Sequence, residues 1–459
     1  MEKYDVIIIG AGQAGNPLSR AFAEAGKRTA LLEEKLVGGT CINYGCTPTK
    51  TMIASAEIAY LARRSEAYGV RLKDVQVEMK QVRQRKENLV TSFRNGSEQR
   101  IIGAGVDLIR GKAGFTGRKS LEVVTPAGVS VALTAETIII NTGRRPSLPN
   151  ISGLREVSYL DSTSIMELEE IPEHLVIIGG GYIALEFGQM FHRLGSQVTI
   201  LQHSNQLLGR EDEDVAEAMR EMLEEDGIRV YLNAKTTAVS RAGQQGIVLQ
   251  VTTSEGEMSI NGSHLLVAAG RVPNTDGLGL DKADVQVDAR GFIQANDRLE
   301  TSVPGIYAAG DVKGGPAFTH IAYDDFRILK ANILENGNLT TNGRMVPYVL
   351  FTDPQLGRIG MSENEARASG LNIQVAKIPM NYVARAIELE RARGLIKAVV
   401  DAETRQILGA AVLGLEGGEI MSMLQIAMMG KLPYTALRDG IFAHPTLAES
   451  MNTLFMTMP

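Results

Sequence analysis

Cysteine is scarce: the 459 residues hold two, Cys41 and Cys46. Two cysteines cannot make a disulfide framework for a chain of this length. A close pair in a reducing compartment is more often redox-active or metal-binding than a staple. Long apolar runs are missing as well. No stretch approaches the ~18 residues that read as a membrane span, so no membrane partner is expected. Positive charge is not in excess. Lys and Arg number 47 against 53 Asp and Glu, a net charge of −6, which argues against a nucleic-acid partner. The first residues run from Met1-Glu2-Lys3-Tyr4 into Val6-Ile7-Ile8-Ile9 without the architecture of a signal peptide. The expectation is a cytoplasmic protein. Histidine is sparse too, with six residues at 174, 192, 203, 264, 320 and 444.

Apolar residues make up 44% and charged residues 22%, a globular rather than a disordered balance. At ~150 residues per domain the length suggests about three domains. Glycine is in surplus: 48 residues, about one in ten against a usual ~7%. The surplus points to backbone that must approach something closely.

One pattern occurs twice. Asp5-Val6-Ile7-Ile8-Ile9 reads as a buried strand, followed by Gly10-Ala11-Gly12-Gln13-Ala14-Gly15 and a helix to about Ala25. Leu175-Val176-Ile177-Ile178 repeats the strand, followed by Gly179-Gly180-Gly181-Tyr182-Ile183-Ala184 and a helix to about Leu194. The same register carries Gly26 onto Gly195, each before a second strand. Each copy is a dinucleotide-binding fingerprint in the βαβ context it requires. Gly10 and Gly179 permit the tight turn. Gly12 and Gly181 let backbone approach a pyrophosphate at a helix N-terminus. Gly15 and Ala184 are small enough for helix and strand to pack. Glu33 ends the second strand of the first copy, where a carboxylate suits a ribose diol. The matching position in the second copy is Gln202, followed by His203 and, further on, Arg210. A carboxylate there would repel a 2′-phosphate and glutamine does not, so NADPH is expected in preference to NADH. The alternative is that Gln202 hydrogen-bonds the ribose of NADH.

Gly38-Gly39-Thr40-Cys41-Ile42-Asn43-Tyr44-Gly45-Cys46-Thr47-Pro48-Thr49-Lys50 holds both cysteines. On an ideal helix, side chains five apart diverge by about 140°, whereas a disulfide needs Cα atoms within about 7 Å. The segment must bend, and Gly45 permits it. Pro48 suits the first turn of a following helix, which puts Cys46 at a helix N-terminus, where a thiolate is stabilised. Lys50 adds positive charge. Two buried thiols or half of a metal site are the other readings. The glycine placement weighs against the first, and the lack of further cysteine or nearby histidine against the second.

This stretch, placed just after a first nucleotide fold, resembles the flavoprotein disulfide reductases, the family of glutathione reductase, dihydrolipoamide dehydrogenase and mercuric reductase. Further motifs agree in family order. Asn141-Thr142-Gly143-Arg144 and Ala269-Gly270-Arg271-Val272-Pro273-Asn274 resemble its crossovers between domains. Thr301 to Asp311 resembles its second FAD motif, Val346 to Pro354 the start of its dimerisation domain, and His444-Pro445-Thr446-Leu447-Ala448-Glu449 its catalytic His–Glu segment.

The resemblance implies an α/β fold: two Rossmann-like dinucleotide-binding domains and a C-terminal α+β dimerisation domain. FAD would occupy residues 1–147 and 275–343, the nicotinamide 148–274, and the dimer interface 344–459. Gly39, Thr40, Thr142, Gly143, Gly310 and Asp311 join Gly10, Gly12, Gly15 and Glu33 as cofactor contacts. Tyr182, Gly270 and Arg271 join Gly179, Gly181, Ala184, Gln202, His203 and Arg210. Cys46 would be the flavin-proximal, charge-transfer thiolate and Cys41 the exchange thiol. Lys50 and Glu186 resemble the ion pair near the reactive end of the isoalloxazine, and Tyr182 the ring that covers the empty nicotinamide pocket. His444 would act across a homodimer on the partner's cysteines. Pro445 can start a helix, with Glu449 about one turn in to orient the ring. His320 would line the flavin pocket.

Within the family, Phe318 to Ile328, Leu432 to Asp439 and Glu449 to Asn452 resemble bacterial reactive-chlorine-resistance flavoproteins and hypothiocyanous acid reductases. Neither the C-terminal cysteine pair nor the N-terminal metal domain of mercuric reductases is in the sequence. Soft Hg(II) needs thiolates for delivery, so efficient mercury reduction is not expected. Met421, Met423, Met428 and Met429 read as adaptable packing at the dimer interface rather than as a Cu(I) site. The expected substrate is a small oxidised sulfur electrophile, hypothiocyanous acid or a low-molecular-weight disulfide. Reduction of Hg(II) or Cu(II) is the alternative. A dihydrolipoamide-dehydrogenase-like subunit or a non-turnover redox sensor is a third reading. No resident metal is expected.

Overall fold

The run Val6–Ile9 ends a strand, Glu2–Ile9, and both faces of that strand are buried. Ile7 and Ile9 join one core with Phe115, Leu121, Ile138 and Ile140. Val6 and Ile8 join another with Leu18, Phe22, Leu31 and Ile328. An unbroken β-branched run suits a strand covered on both sides. The computed structural model describes residues 1–243 and 246–458. They fall into two units. One comprises Met1–Met52, Lys80–Ser147 and Gly270–Arg344; the other comprises Ile53–Met79, Leu148–Ala269 and the chain from Met345 onward.

The helices of the two units include α1 (Gly15–Glu24), α2 (Gly39–Asn43), α3 (Cys46–Arg63), α4 (Met79–Gly103), α5 (Tyr182–Leu194), α6 (Glu213–Glu225), α7 (Thr319–Leu334) and α8 (Glu363–Ala368). In the first unit a seven-stranded sheet has the order Asp107–Arg110, Thr29–Glu33, Glu2–Ile9, Ser130–Ile140, Ser120–Val124, Lys112–Gly117. Its first four strands are parallel, and Ile306–Ala308 adds a parallel strand beside the end of Ser130–Ile140. The C-terminal ends of Glu2–Ile9, Thr29–Glu33 and Ser130–Ile140 therefore lie side by side. That end of a parallel sheet is where nucleotides bind.

The second unit holds three sheets: a three-stranded antiparallel one of Lys235–Ala242, Gly246–Thr253 and Gly256–Gly262, and two larger ones of different character. Arg229–Tyr231, Gln197–Leu201, His174–Ile178 and His264–Val267 form a four-stranded parallel sheet, with α5 following its His174–Ile178 strand. Tyr348–Leu350, Gln355–Gly360, Ile407–Gly414, Leu395–Asp401 and Ile373–Pro379 form an antiparallel five-stranded sheet. The helix Gly417–Met429 packs into the core of this sheet through Ile420, Met421 and Leu424. The expected α/β class with an α+β C-terminal part is thus found. Met429 faces solvent rather than joining Met421.

A buried charge cluster ties the start of α6 to the antiparallel sheet. Lys397 Nζ lies 3.0 Å from Asp212, 3.0 Å from Asp214 and 2.8 Å from Glu363. Asp212 also accepts the backbone N–H groups of Glu363 and Asn364 at the start of α8. Burial pushes the two aspartates up, but these hydrogen bonds, with one from Lys377 to Asp214 at 2.7 Å, outweigh it and hold both below the usual carboxylate range. The Lys397 hydrogen bond holds Glu363 low as well. Depressed carboxyl pKa values give stability that is present above the unfolded values, ~4, and lost as pH falls below them. Lys397→Met removes the shared cation but leaves Asp212 its two backbone donors, Asp214 its Lys377 and Glu363 its Arg367. It is expected to cost about 1.5–3 kcal/mol at pH 7, with the deficit shrinking below about pH 4. Calorimetric unfolding of both proteins at the two pH values checks this.

Candidate active site

The first glycine loop is closed by one side chain. Asn141 follows the strand Ser130–Ile140 and is buried. Its Oδ1 accepts the Gly15 N–H at 3.0 Å, and its Nδ2 donates to the Ala309 carbonyl at 2.8 Å. The glycines fit around it. A Cβ on Gly10 (φ +103°) would stand 2.4 Å from the Asn141 carbonyl oxygen, one on Gly12 2.8 Å from Asn141 Oδ1, and one on Gly310 2.7 Å from Asn141 Nδ2. Gly15 meets the Gly10 carbonyl instead, at 2.0 Å. No side chain fits at these positions. Glu33 braces the loop from the other side, its Oε2 accepting the Ala11 N–H at 2.8 Å. Its Oε1 accepts the Lys35 N–H, and each oxygen keeps a second lone pair for a hydroxyl.

The cysteine segment is built directly on this loop. The Gly38 N–H donates to the Ala11 carbonyl at 2.9 Å, and Gln13 Nε2 donates to the Gly38 carbonyl. A Cβ on Gly39 would stand 2.8 Å from the Gly12 Cα. Helix α2 carries Cys41, and Asn43 Nδ2 ties its end to the carbonyls of Val37 and Gly39 at 3.0 Å. The Tyr44 N–H donates to the Thr40 carbonyl, the chain bends at Gly45, and α3 opens at Cys46. The Cys46 sulfur lies 3.4 Å from the hydroxyl of Thr319, the first residue of α7. Two helix N-termini therefore meet at Cys46, a setting that favours its thiolate. The hydrogen bond between the thiols, and then burial, push Cys41 up, outweighing the pull of Thr319 and of the Lys50 charge. The hydrogen bond with Cys46 and burial thus favour the protonated form of Cys41.

Asp311 opens the turn Gly310–Lys313 on the same side of the sheet. Burial pushes its carboxyl up against the pull of Arg271, Arg144 and Lys313. Asp325, fully buried on α7, accepts the Gly310 N–H at 2.8 Å and neutralises Lys313 and Arg344 at 3.2 and 2.7 Å. The two crossovers are stitched together: Thr142 Oγ1 donates to the Asn274 carbonyl, Asn274 Nδ2 to the Thr142 carbonyl and Arg271 to the Arg144 carbonyl, each at 2.8 Å. Gly143 and Gly270 have positive φ with open space beside them. His320 is exposed, its ring stacked on Phe318.

The second glycine loop repeats the turn but not the filling. Gly179 has φ +120°, and a Cβ there would stand 2.5 Å from the Ala268 carbonyl, the counterpart of the Gly10 contact. Gly181 faces open space, and Ala184 is buried under the start of α5. Gln202 is buried against Gly180, its amide donating to Ser204 and to the Gln206 carbonyl, while His203 and Arg210 are exposed. On α5, Tyr182 is half-buried and Glu186 accepts the Phe351 N–H at 2.9 Å.

His444 Nδ1 lies 2.8 Å from Glu449 Oε2. The expected helix from Pro445 does not form. Thr446 donates to the Ala443 carbonyl and accepts the Glu449 N–H, making a turn, and the helix begins at Ser450. The pair therefore meets across a turn rather than along a helix.

Two dinucleotides fit this architecture by one contrast. Helices α1 and α5, which follow the glycine loops, have no acidic residue in the first turn and no side-chain cap. Helix α6 opens with Glu213 and Asp214, and α8 carries a Ser362–Glu365 capping box. An uncompensated positive end suits a pyrophosphate; α2, α4 and α7 also open without an acidic residue, so it is the glycine loops ahead of α1 and α5 that distinguish these two. Asn141, Asp325 and Thr319 were not among the residues singled out by sequence. Asn141 appeared in the sequence only as the first residue of a crossover motif, with no sign that it closes the loop.

A family model described as pyridine nucleotide-disulphide oxidoreductase matches residues 4–325, and one described as its dimerisation domain matches 346–455. The chain is 38% identical to the probable pyridine nucleotide-disulfide oxidoreductase RclA of Escherichia coli, covering 99% of both chains. It is 35% identical to the mercuric reductase of Staphylococcus aureus, covering 99% of this chain and 82% of that one. A solved structure described as the Cu(II) complex of HOCl-induced flavoprotein disulfide reductase RclA from Escherichia coli superposes with a TM-score of 0.91 at 38% identity, covering 100% of both chains.

Asn141→Ala strands the buried Gly15 N–H and Ala309 carbonyl. It is expected to lower stability by about 2–5 kcal/mol and to reduce the FAD absorbance retained per chain through gel filtration.

Proposed function

Because the chain belongs to the pyridine nucleotide-disulphide oxidoreductase family, we propose that it passes electrons from NADPH through FAD to a Cys41–Cys46 disulfide and on to a small oxidised sulfur electrophile. Hypothiocyanous acid is the first candidate and a low-molecular-weight disulfide the second. The observation that carries the reading is the pair of neighbouring thiols, Cys41 on α2 and Cys46 at the start of α3, seated on the first glycine loop. The family is FAD-dependent and uses a pyridine nucleotide. We assign FAD to residues 1–147 and 275–343, the nicotinamide to 148–274 and dimerisation to 344–459. NADPH is favoured over NADH by Gln202 in place of a carboxylate and by the exposed His203 and Arg210. Bound FAD supplies a two-electron relay between the hydride donor and the disulfide.

The chain's own groups complete the cycle. Glu33 holds the first loop in shape, and α1 presents its N-terminus to the pyrophosphate. With both sulfurs reduced, Cys41 gives up its proton to His444 of the partner protomer, whose ring Glu449 orients. The Cys41 thiolate then attacks the electrophilic sulfur of hypothiocyanous acid. An S–S bond forms, and the S–O bond breaks as water with the proton that His444 returns. The Cys46 thiolate attacks Cys41 and releases thiocyanate, which restores the disulfide. Two electrons leave the pair for each oxidant consumed, and one NADPH replaces them. The active form is a cytoplasmic homodimer.

A second reading, reduction of Cu(II) or Hg(II) at the same thiols, is favoured by the Cu(II) complex of the related reductase. NADPH oxidation by the FAD-loaded protein separates the readings. Turnover with hypothiocyanous acid, lost by about 10³-fold or more in Cys41→Ser, supports the first. Turnover only with cupric or mercuric ion supports the second. One reduction followed by a stall makes the chain a redox sensor. His444→Ala is expected to lower kcat/KM for the sulfur substrate by about 10²–10⁴-fold, measured against unchanged NADPH-dependent flavin reduction.

A further inference from the structure

The segment that carries His444 leaves the C-terminal core after the short helix Tyr434–Arg438 and returns to it at the helix Ser450–Phe455. The two helices pack on each other, the buried Tyr434 and Phe455 rings lying 5.6 Å apart at 34°. Between them Phe442 and Leu447 touch the core, Ile441 is wholly exposed, and the His444 side chain is 67% exposed. An exposed pair with Glu449 holds such a ring weakly. The backbone beneath the ring needs a further anchor.

Asn452 supplies it. A helix leaves its last carbonyls without intrahelical partners. Asn452 Nδ2 donates to the carbonyls of Leu437 and Arg438, which end the first helix, and to that of Gly440 just beyond, each at 2.9 Å. An amide oxygen in that place would face three carbonyl oxygens, so the nitrogen is the atom that points there. Asn452 stands on the turn that Glu449 opens, and its backbone N–H donates to the Glu449 carbonyl at 3.0 Å. Side chains from one helical turn therefore hold both ends of the loop, Asn452 at Gly440 and Glu449 at His444.

We propose that Asn452 is a positioning residue for His444: by pinning the Leu437, Arg438 and Gly440 carbonyls to the helix that Glu449 opens, it holds the loop where the imidazole reaches the cysteines of the partner protomer. This rests on the reading of His444 as the base that takes the Cys41 proton. Asn452 works through the ring rather than on the reacting sulfurs. A catalytic group displaced by about 1 Å loses up to ~10²-fold in rate, although every group is still present.

The test is a single turnover of the FAD-loaded homodimer, reduced with one equivalent of NADPH per chain and mixed in a stopped flow with the aromatic disulfide dithiobis-nitrobenzoate. As His444 takes its proton, the Cys41 thiolate attacks one sulfur of the probe. A mixed disulfide forms and a coloured aromatic thiolate leaves. Cys46 then attacks Cys41 and releases the second. Asn452→Asp keeps the shape of the side chain and removes its N–H donors. It is expected to slow release of the first thiolate about 10- to 100-fold, while flavin reduction by NADPH stays within about twofold. Asn452→Ala does the same and serves if the aspartate variant does not fold. In a His444→Ala background neither substitution slows release further. Full-rate release in both Asn452 variants, beside slow release in His444→Ala, overturns the positioning role alone. A loss of equal size in the His444→Ala background also overturns it, because Asn452 then acts on the fold rather than on the ring. Full-rate release in His444→Ala overturns the reading of His444 itself, and the role of Asn452 with it.

Discussion

The first unit depends on the close approach of backbone segments around the Asn141 side chain. Its amide reaches the start of α1 in one direction and the Ala309 carbonyl in the other. Gly10, Gly12 and Gly310 have no side chains because Asn141 occupies the space where they would be. Gly39 rests in turn on Gly12, so the position of the cysteine helix is inherited from the glycine loop. Shifting Asn141 moves the loop, the turn at Gly310 and the cysteine pair together. The cluster is buried and hydrogen-bonded at both ends of the amide, which makes it costly to disturb.

The second glycine loop solves the same steric problem with different neighbours. Ala268 stands where the first loop has Asn141, Gln202 and Leu207 pack against Gly180, and Gly181 opens on free space. Order comes instead from the segment before α6. Glu211 is held by Tyr348 and Arg358, while Asp212 and Asp214 are held by Lys397 and the start of α8. The two copies of one sequence pattern are thus held in shape by different side chains.

The parts legible in the sequence are those whose physical reason is local. A positive φ at Gly10 and Gly179 follows from the strand–turn–helix context. A helix opening at Cys46 follows from Gly45 and Pro48 alone. Asn141 was not legible because its partners lie 126 and 168 residues away. The Tyr348–Glu211–Arg358 chain spans 137 and 147 residues and carries no sequence signature. The segment after His444 shows the opposite failure. Pro445 was a sound local signal for a helix start, but the Thr446 hydroxyl gives the backbone a turn instead. The ring and carboxylate still meet because a turn also closes the gap between them.

The central claim is that nicotinamide electrons come to rest on Cys41 and Cys46. Anaerobic addition of one equivalent of NADPH to the oxidised FAD-loaded protein, followed by acid quench and thiol counting, tests it directly. The expected result is two new thiols per chain, with none in Cys46→Ser. NADPH consumption that bleaches the flavin and yields no thiols would contradict it.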